Sequence, residues 1–152
     1  MKIAHSVKIT AFAKEDEDED RIKNKMKEMV PFDIEESKVK LKQKTAIGFN
    51  ERKINIFEIL LEKDKHISMF LDNLADRLSD EAKRLVLKQE ESRLDENCNF
   101  FLRFSKEKLL EENELWLTNQ GNCFHIRINI AAFPKKKEKA MDIIRKLFKA
   151  ES

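Results

Sequence analysis

Ile3-Ala4-His5-Ser6-Val7-Lys8-Ile9-Thr10-Ala11-Phe12 carries the pattern of a β-strand near the start of the chain. Ile3, His5, Val7, Ile9 and Ala11 alternate with Ala4, Ser6, Lys8, Thr10 and Phe12. Successive side chains of a strand point to opposite faces, so the spacing predicts a strand with one buried row and one outward row. In this register His5 belongs to the buried row and Lys8 to the outward one. Next comes the acidic run Glu15 to Asp20, then Ile22, Met26, Met29 and Val30 on one helical face. Carboxylates in a first turn complement the helix dipole, and Pro31 stops the helix. Val39, Leu41, Thr45 and Ile47 alternate with lysines, and the loop Gly48-Phe49-Asn50-Glu51 leads into Lys53 to Leu61, which predicts an antiparallel pair.

Farther along, Ile67, Phe70, Leu71, Leu74 and Leu78 recur at helical spacing, and Ser79 is placed to cap a second helix carrying Ala82, Leu85 and Val86. Cys98, Phe100, Leu102 and Phe104 form one face of a strand, with a short helical stretch around Lys106 to Leu110 behind it. Strands Leu115 to Thr118 and Cys123 to Ala131 flank Asn119-Gln120-Gly121-Asn122, a hairpin turn in which Gly121 can take a positive φ. Pro134 opens a last helix with the stripe Ala140, Ile143, Ile144 and Leu147. The order β-α-β-β-α-α-β-(α)-β-β-α predicts an α+β fold: a single layered domain over residues 1–152, its mostly antiparallel sheet carrying helices on one face.

Hydrophobic residues make up 41% of the chain and charged ones 39%, a real core under a densely charged surface. Net charge is only +2, so an argument for a polyanionic partner must come from how the charge is distributed. No apolar run approaches the ~20 residues of a membrane span, and Met1-Lys2-Ile3-Ala4-His5 lacks the apolar centre of a signal peptide. A cytoplasmic location is therefore expected. Cys98 and Cys123 are too far apart in sequence for a zinc knuckle or a redox pair, and are expected to be small core residues.

The rows left over once the core is assigned hold the candidate chemistry. With Val39 and Leu41 inward, Lys38, Lys40, Lys42 and Lys44 point outward, about 6 to 7 Å apart along one strand. With Phe124, Ile126, Ile128 and Ile130 inward, Cys123, His125, Arg127 and Asn129 point outward. The same alternation turns Trp116, Phe101 and Arg103 outward. Cations interleaved with aromatics suit phosphate contacts beside base stacking. The other reading is that lysines guard an edge strand while helices cover the remaining strands and make Trp116 and Phe101 core. Lys135, Lys136 and Lys137 stand at the start of the last helix, where the dipole favours carboxylates, and such a conflict suggests a clamp for a phosphate.

No Gly-rich phosphate loop, His-x-x-x-His, Cys pair or nucleophile elbow is present, so no catalytic or metal site and no cofactor is expected. Helix geometry would scatter Asp16, Asp18 and Asp20, and no calcium loop is completed after them.

Gln89-Glu90-Glu91-Ser92-Arg93-Leu94-Asp95, Phe100-Phe101-Leu102-Arg103-Phe104 and Cys123 through Ile126-Arg127-Ile128 to Ala131-Ala132-Phe133-Pro134 carry a resemblance, as do His5-Ser6-Val7, Pro31-Phe32 and Gly48-Phe49-Asn50. Together they resemble the archaeal predicted exosome subunits, part of a group of small archaeal RNA-binding proteins, over nearly the whole chain. The resemblance implies a fold similar to the ribosomal protein that holds the 5S RNA, and a link to RNA processing. It also implies acidic residues at Asn119-Gln120-Gly121-Asn122 and a Gly near Asn97, and the sequence departs at both places. Arg93, Asp95, Arg103 and Arg127 are the charged members of the matching segments, while Arg93 and Asp95 can equally form an ion pair at a helix end.

Two functional readings stay open. One is a non-catalytic RNA-binding protein, an accessory of exosome-linked RNA processing, that uses Lys8, Lys38, Lys40, Lys42, Lys44, Arg93, Phe101, Arg103, Trp116, His125, Arg127, Lys135, Lys136 and Lys137. The first reading has exosome subunits as candidate partners; the other is a protein interaction module whose exposed sheet pairs with a second copy in a homodimer or docks on a larger complex.

Overall fold

The first strand keeps its predicted alternation in the computed structural model, which describes residues 2–150, except for one slip near its start. In β1 (Ala4–Lys14) Val7, Ile9, Ala11 and Ala13 are buried, but so is Ala4. Two residues, His5 and Ser6, separate Ala4 from Val7 where strict alternation needs one or three. His5 is consequently exposed and is not the core histidine the alternation predicts.

The remaining elements are α1 (Glu19–Met29), β2 (Leu41–Ile47), β3 (Lys53–Leu61), α2 (Asp64–Arg77), α3 (Asp80–Lys88), β4 (Asn99–Ser105), α4 (Lys106–Glu112), β5 (Cys123–Ile130) and α5 (Lys137–Leu147). The five strands form an antiparallel sheet in the order β2-β3-β1-β5-β4, which confirms the α+β class. β2 and β4 are its edges. The hairpin between β2 and β3 has the predicted pairing, with Leu41 opposite Ile59, Lys42 opposite Glu58 and Lys44 opposite Ile56.

Caps fall where the side-chain chemistry puts them. Asp18, from the acidic run, accepts the Arg21 amide at 3.2 Å and starts α1. Ser79 accepts the Ala82 amide at 3.1 Å and starts α3. Both use a side-chain oxygen to satisfy one of the donors a first helical turn leaves open.

Three predicted elements differ. Lys38, Val39 and Lys40 precede β2 instead of belonging to it: Lys38 takes a left-handed φ of 59° and the Val39 amide turns back to the Ile34 carbonyl at 2.8 Å. The Leu115 to Thr118 strand and its hairpin are replaced by a single bridge from Leu117 to Phe104, with the Ser105 amide on the Trp116 carbonyl and the Thr118 amide on the Arg103 carbonyl. That segment therefore pairs with β4, and Gly121 needs no positive φ. Finally, α5 starts at Lys137, because Lys136 is extended at φ −134°, ψ 147°.

By its internal contacts the chain divides into two compact units, Met1–Val7 with Leu61–Leu102 and Arg127–Ser152, and Lys8–Leu60 with Arg103–Ile126. In the first unit the core draws Phe70, Leu71 and Leu74 from α2, Val86 from α3, and Ala140 and Ile144 from α5. Phe100 of β4 lies 6.0 Å from Phe148 between ring centroids. In the second, Ile22, Met26 and Met29 of α1 are buried with Ile9, Ala11, Phe57 and Ile59 of the sheet. Lys23 of α1 stands over the Phe57 ring, which places α1 on that face.

Replacing Ser79 by Ala removes one cap and is expected to cost about 1 kcal/mol of stability. A lowered urea midpoint with an unchanged slope is the expected result, since only a first helical turn is weakened.

Candidate nucleic-acid interface

The predicted row of four lysines is divided by the turn before β2. Lys42 and Lys44 lie in β2 and are exposed, on the face that bears Glu58 of β3. Lys38 and Lys40 instead line a groove of about 810 Å3 bounded by α1, the turn before β2 and β2 itself. Lys23, Asn24 and Lys27 of α1 form its other wall, with Gln43 at the β2 side and Ile34, Val39 and Leu41 as apolar lining. Two acids, Asp20 and Glu35, also line it. Lys23 is neutralised by Glu19 at 3.2 Å and Asp20 at 3.5 Å. Lys27, Lys38, Lys40, Lys42 and Lys44 form no ion pair among the described residues.

An unpaired lysine at a protein surface is ordinary, but several in one strip repel one another and raise the local potential for anions. The lysines run from the groove wall on α1, through the turn, to the free edge of the sheet, where Lys42 and Lys44 turn to the face opposite the groove. Among the described residues no aromatic side chain lines the groove, whose lysines offer phosphate contacts.

The outward row of the second unit is only partly open. Lys8, Thr10, Phe12, Ile56, Glu58 and His125 are all partly exposed. Lys8 spends its charge on Glu58 at 4.0 Å. Arg103 is exposed and reaches the Asn119 carbonyl at 3.5 Å. Cys123 departs from the row predicted for it: it is buried, and burial pushes its thiol up in pKa against the pull of Arg103 and Lys106. Phe12 is claimed from within the fold. Lys106 donates to the Phe12 carbonyl at 2.7 Å and stands 4.6 Å from the centre of its ring.

Lys106 is the residue that spacing alone does not reveal. Only 6% exposed, it also meets Glu17 at 3.2 Å and the side-chain oxygen of Asn122. Burial lowers its pKa, with the Glu17 carboxylate opposing. A lysine at the first position of a helix reads as surface in the sequence, and the signal that separates it is tertiary: three oxygens from β1, the acidic turn and the segment before β5.

Trp116 is 57% exposed, which removes the reading that makes it core. Lys108 of α4 lies 5.2 Å from its ring centre, and Glu112 holds Lys108 at 3.0 Å. Trp116 is thus fixed on the outer side of β4 by backbone pairing and by a cation over its ring.

In the first unit, Phe101 and Arg127 are partly exposed, and the Arg127 Nε is buried with no hydrogen-bond partner among the described residues. Arg93 bonds the Gln89 side-chain oxygen at 2.6 and 3.1 Å and the Phe101 carbonyl at 3.2 Å, a clamp on the β4 edge. Asp95 accepts the Asn97 and Asn99 amides at 2.9 Å and the Asn99 side chain at 3.2 Å. It closes the turn in which Cys98 takes a φ of 62°, the left-handed conformation that Gly adopts without strain and the place where the resemblance implies a Gly. Lys135 and Lys136 are exposed and precede α5, so only Lys137 joins its first turn, where Glu138 also stands. The three lysines are therefore not a cluster inside a helix start. Lys137 lies 3.9 Å from Glu96.

Burial raises the pKa of Asp95, but its bonds to Asn99 and Asn97 outweigh this and hold it below the ordinary carboxylate value. A depressed carboxylate stabilises the fold above its unfolded pKa and loses that contribution as the pH falls through the folded value. Asp95→Asn is accordingly expected to lower the urea midpoint at neutral pH and to narrow its gap from the parent chain at pH 3 and below. A gap that does not change with pH would contradict this role for the carboxylate.

Comparison with known proteins adds a family. A family model described as RNA binding matches residues 6–130. The RNA-binding protein PAB1135 of Pyrococcus abyssi is 26% identical over 148 residues, covering 97% of this chain and 96% of that protein. Protein AF2318 of Archaeglobus fulgidus, a member of the DUF54 family, superposes with a TM-score of 0.83 at 24% identity, over 95% of this chain and 99% of its own. Protein SSO0741 of Sulfolobus solfataricus, from the same DUF54 family, gives a TM-score of 0.75 at 26% identity over 94% and 96%.

Proposed function

Since the chain belongs to the RNA-binding family whose model spans residues 6–130, we propose that it is a non-catalytic RNA-binding protein that holds phosphates on the lysine strip. The observation that carries this reading is the run of Lys27, Lys38, Lys40, Lys42 and Lys44, unpaired among the described residues, along one groove and one strand edge. In a chain with net charge +2, such local asymmetry is what draws a polyanion to one place. Arg103 and Trp116 lie in the same unit at the other edge of the sheet, on β4 and its outer segment, and stand as further contact residues. Lys8 contributes less, because Glu58 already meets it. His125, Phe101, Arg127 and Lys135 to Lys137 stand as further contact residues. Arg93 holds the β4 edge in place and acts on RNA only through that edge.

Lysine contacts to phosphate release counterions, so affinity falls with salt in proportion to their number. The variant carrying Lys38→Gln, Lys40→Gln, Lys42→Gln and Lys44→Gln is expected to bind single-stranded RNA more weakly. Its log–log salt slope is expected to be shallower by about 3, at roughly 0.7 for each phosphate no longer neutralised. Fluorescence anisotropy across a salt series measures both. An unchanged slope with unchanged affinity would remove the strip from the interface.

A place in exosome-linked RNA processing, and the docking on exosome subunits that goes with it, is the finer part of this proposal. It is supported by the sequence resemblance and is tested separately, by recovery of exosome subunits with the tagged chain after nuclease treatment. A homodimer through the open sheet face would show as twice the monomer mass in solution.

A further inference from the structure

The segment joining β5 to α5 presents an aromatic ring that the fold does not use. Phe133 is 95% exposed, the most exposed of the large hydrophobic side chains among the described residues. It is not a loose end. Ala132, just before it, is buried, and the Ala131 amide donates to the Ile3 carbonyl at 2.8 Å and the Ala132 amide to the Ile130 carbonyl at 3.0 Å. On the other side the Lys136 amide closes on the Pro134 carbonyl at 2.8 Å. Pro134 itself restricts the backbone of the residue before it. The ring is thus held out in water by backbone anchored on both sides.

Its neighbours are cationic. Lys135, Lys136 and Lys139 are exposed, and Lys136 and Lys139 make no ion pair among the described residues. The acids nearby are Asp95, within reach of the field of Lys135, and Glu96, which meets Lys137 at 3.9 Å; Glu138 follows in α5. A protein interface would bury the ring in a patch whose centre is poor in charge, and lysine is among the residues depleted there. A nucleic acid strand needs the opposite pairing, a flat face for a base beside ammonium groups for its phosphates.

We propose that Phe133 is a stacking platform for an unpaired nucleobase of RNA, with Lys135 and Lys136 on the adjoining phosphates. This rests on the RNA-binding reading and adds a substrate class to it: RNA that exposes single-stranded nucleotides, since a base inside a duplex has no free face to offer. The lysine strip of the other unit supplies charge, which serves paired and unpaired strands alike.

The test compares the full chain with Phe133→Leu and Phe133→Trp on two probes, an unstructured single-stranded oligoribonucleotide and a blunt-ended RNA duplex. Loss of one stacked base is expected to weaken single-strand binding by Phe133→Leu about tenfold, with duplex affinity, salt slope and thermal midpoint unchanged. Phe133→Trp is expected to restore single-strand binding. Unchanged single-strand affinity in Phe133→Leu, or an equal loss on both probes, would overturn the proposal. So would a Phe133→Leu variant that only converts a dimer to a monomer, which would make the ring a protein contact. If the parent chain binds neither probe, the RNA-binding reading itself fails, an outcome distinct from a parent that binds and a variant that binds equally well.

Discussion

Shifting a strand by one residue turns its whole apolar row from the core to water, so the face that β1 and β3 each turn inward is fixed by what they must bury. Val7, Ile9, Ala11 and Ala13 in β1, with Phe57, Ile59 and Leu61 in β3, are all buried, which excludes a slip by one residue in either strand. β2 inherits its register from β3 through the hairpin, and that inheritance puts Lys42 and Lys44 on the opposite face, where the same two strands offer few carboxylates. The cationic edge is therefore a consequence of burying the other face, as well as a surface available to a ligand.

The two edges of the sheet are treated differently. On β4, Leu94 pairs with Phe100 in one unit and Leu117 with Phe104 in the other, so its outer hydrogen-bonding groups are taken up by the chain itself. On β2 nothing comparable is present among the described residues, and lysines occupy the strand instead. Charged side chains on a free edge discourage pairing with another chain, which accounts for Lys42 and Lys44 without any ligand. It does not account for Lys27, Lys38 and Lys40, which stand outside the ladder around the groove. Those three are what the RNA-binding reading explains and edge protection leaves over.

Much of this is legible in the residues. Period-two rows locate β1, β3, β4 and β5, and the cap at Ser79 follows from a side-chain oxygen placed before an apolar stripe, whereas the acidic run before α1 does not show which of its carboxylates is the cap, Asp18. The misses have physical causes. Alternation cannot show a skipped residue, so it assigns His5 to the wrong face. Trp116 alternates with Leu115 and Leu117 as a strand would, yet the segment forms a single bridge, and β4 offers it an open edge. The lysine row does point outward, but Lys38 turns left-handed and sends two of the four into a groove that no spacing encodes. Lys106 and Phe133 are least legible, because a buried lysine and an exposed phenylalanine both invert the usual preference of their side chains.

Amide chemical-shift mapping of the full chain during titration with a single-stranded RNA locates the contact without altering any residue. RNA held on the lysine strip and on Phe133 places the largest shifts in residues 27 to 44, with a second group around residues 133 to 136, both receding as salt is added. Shifts confined to α2 and α3, or shifts insensitive to salt, would contradict it.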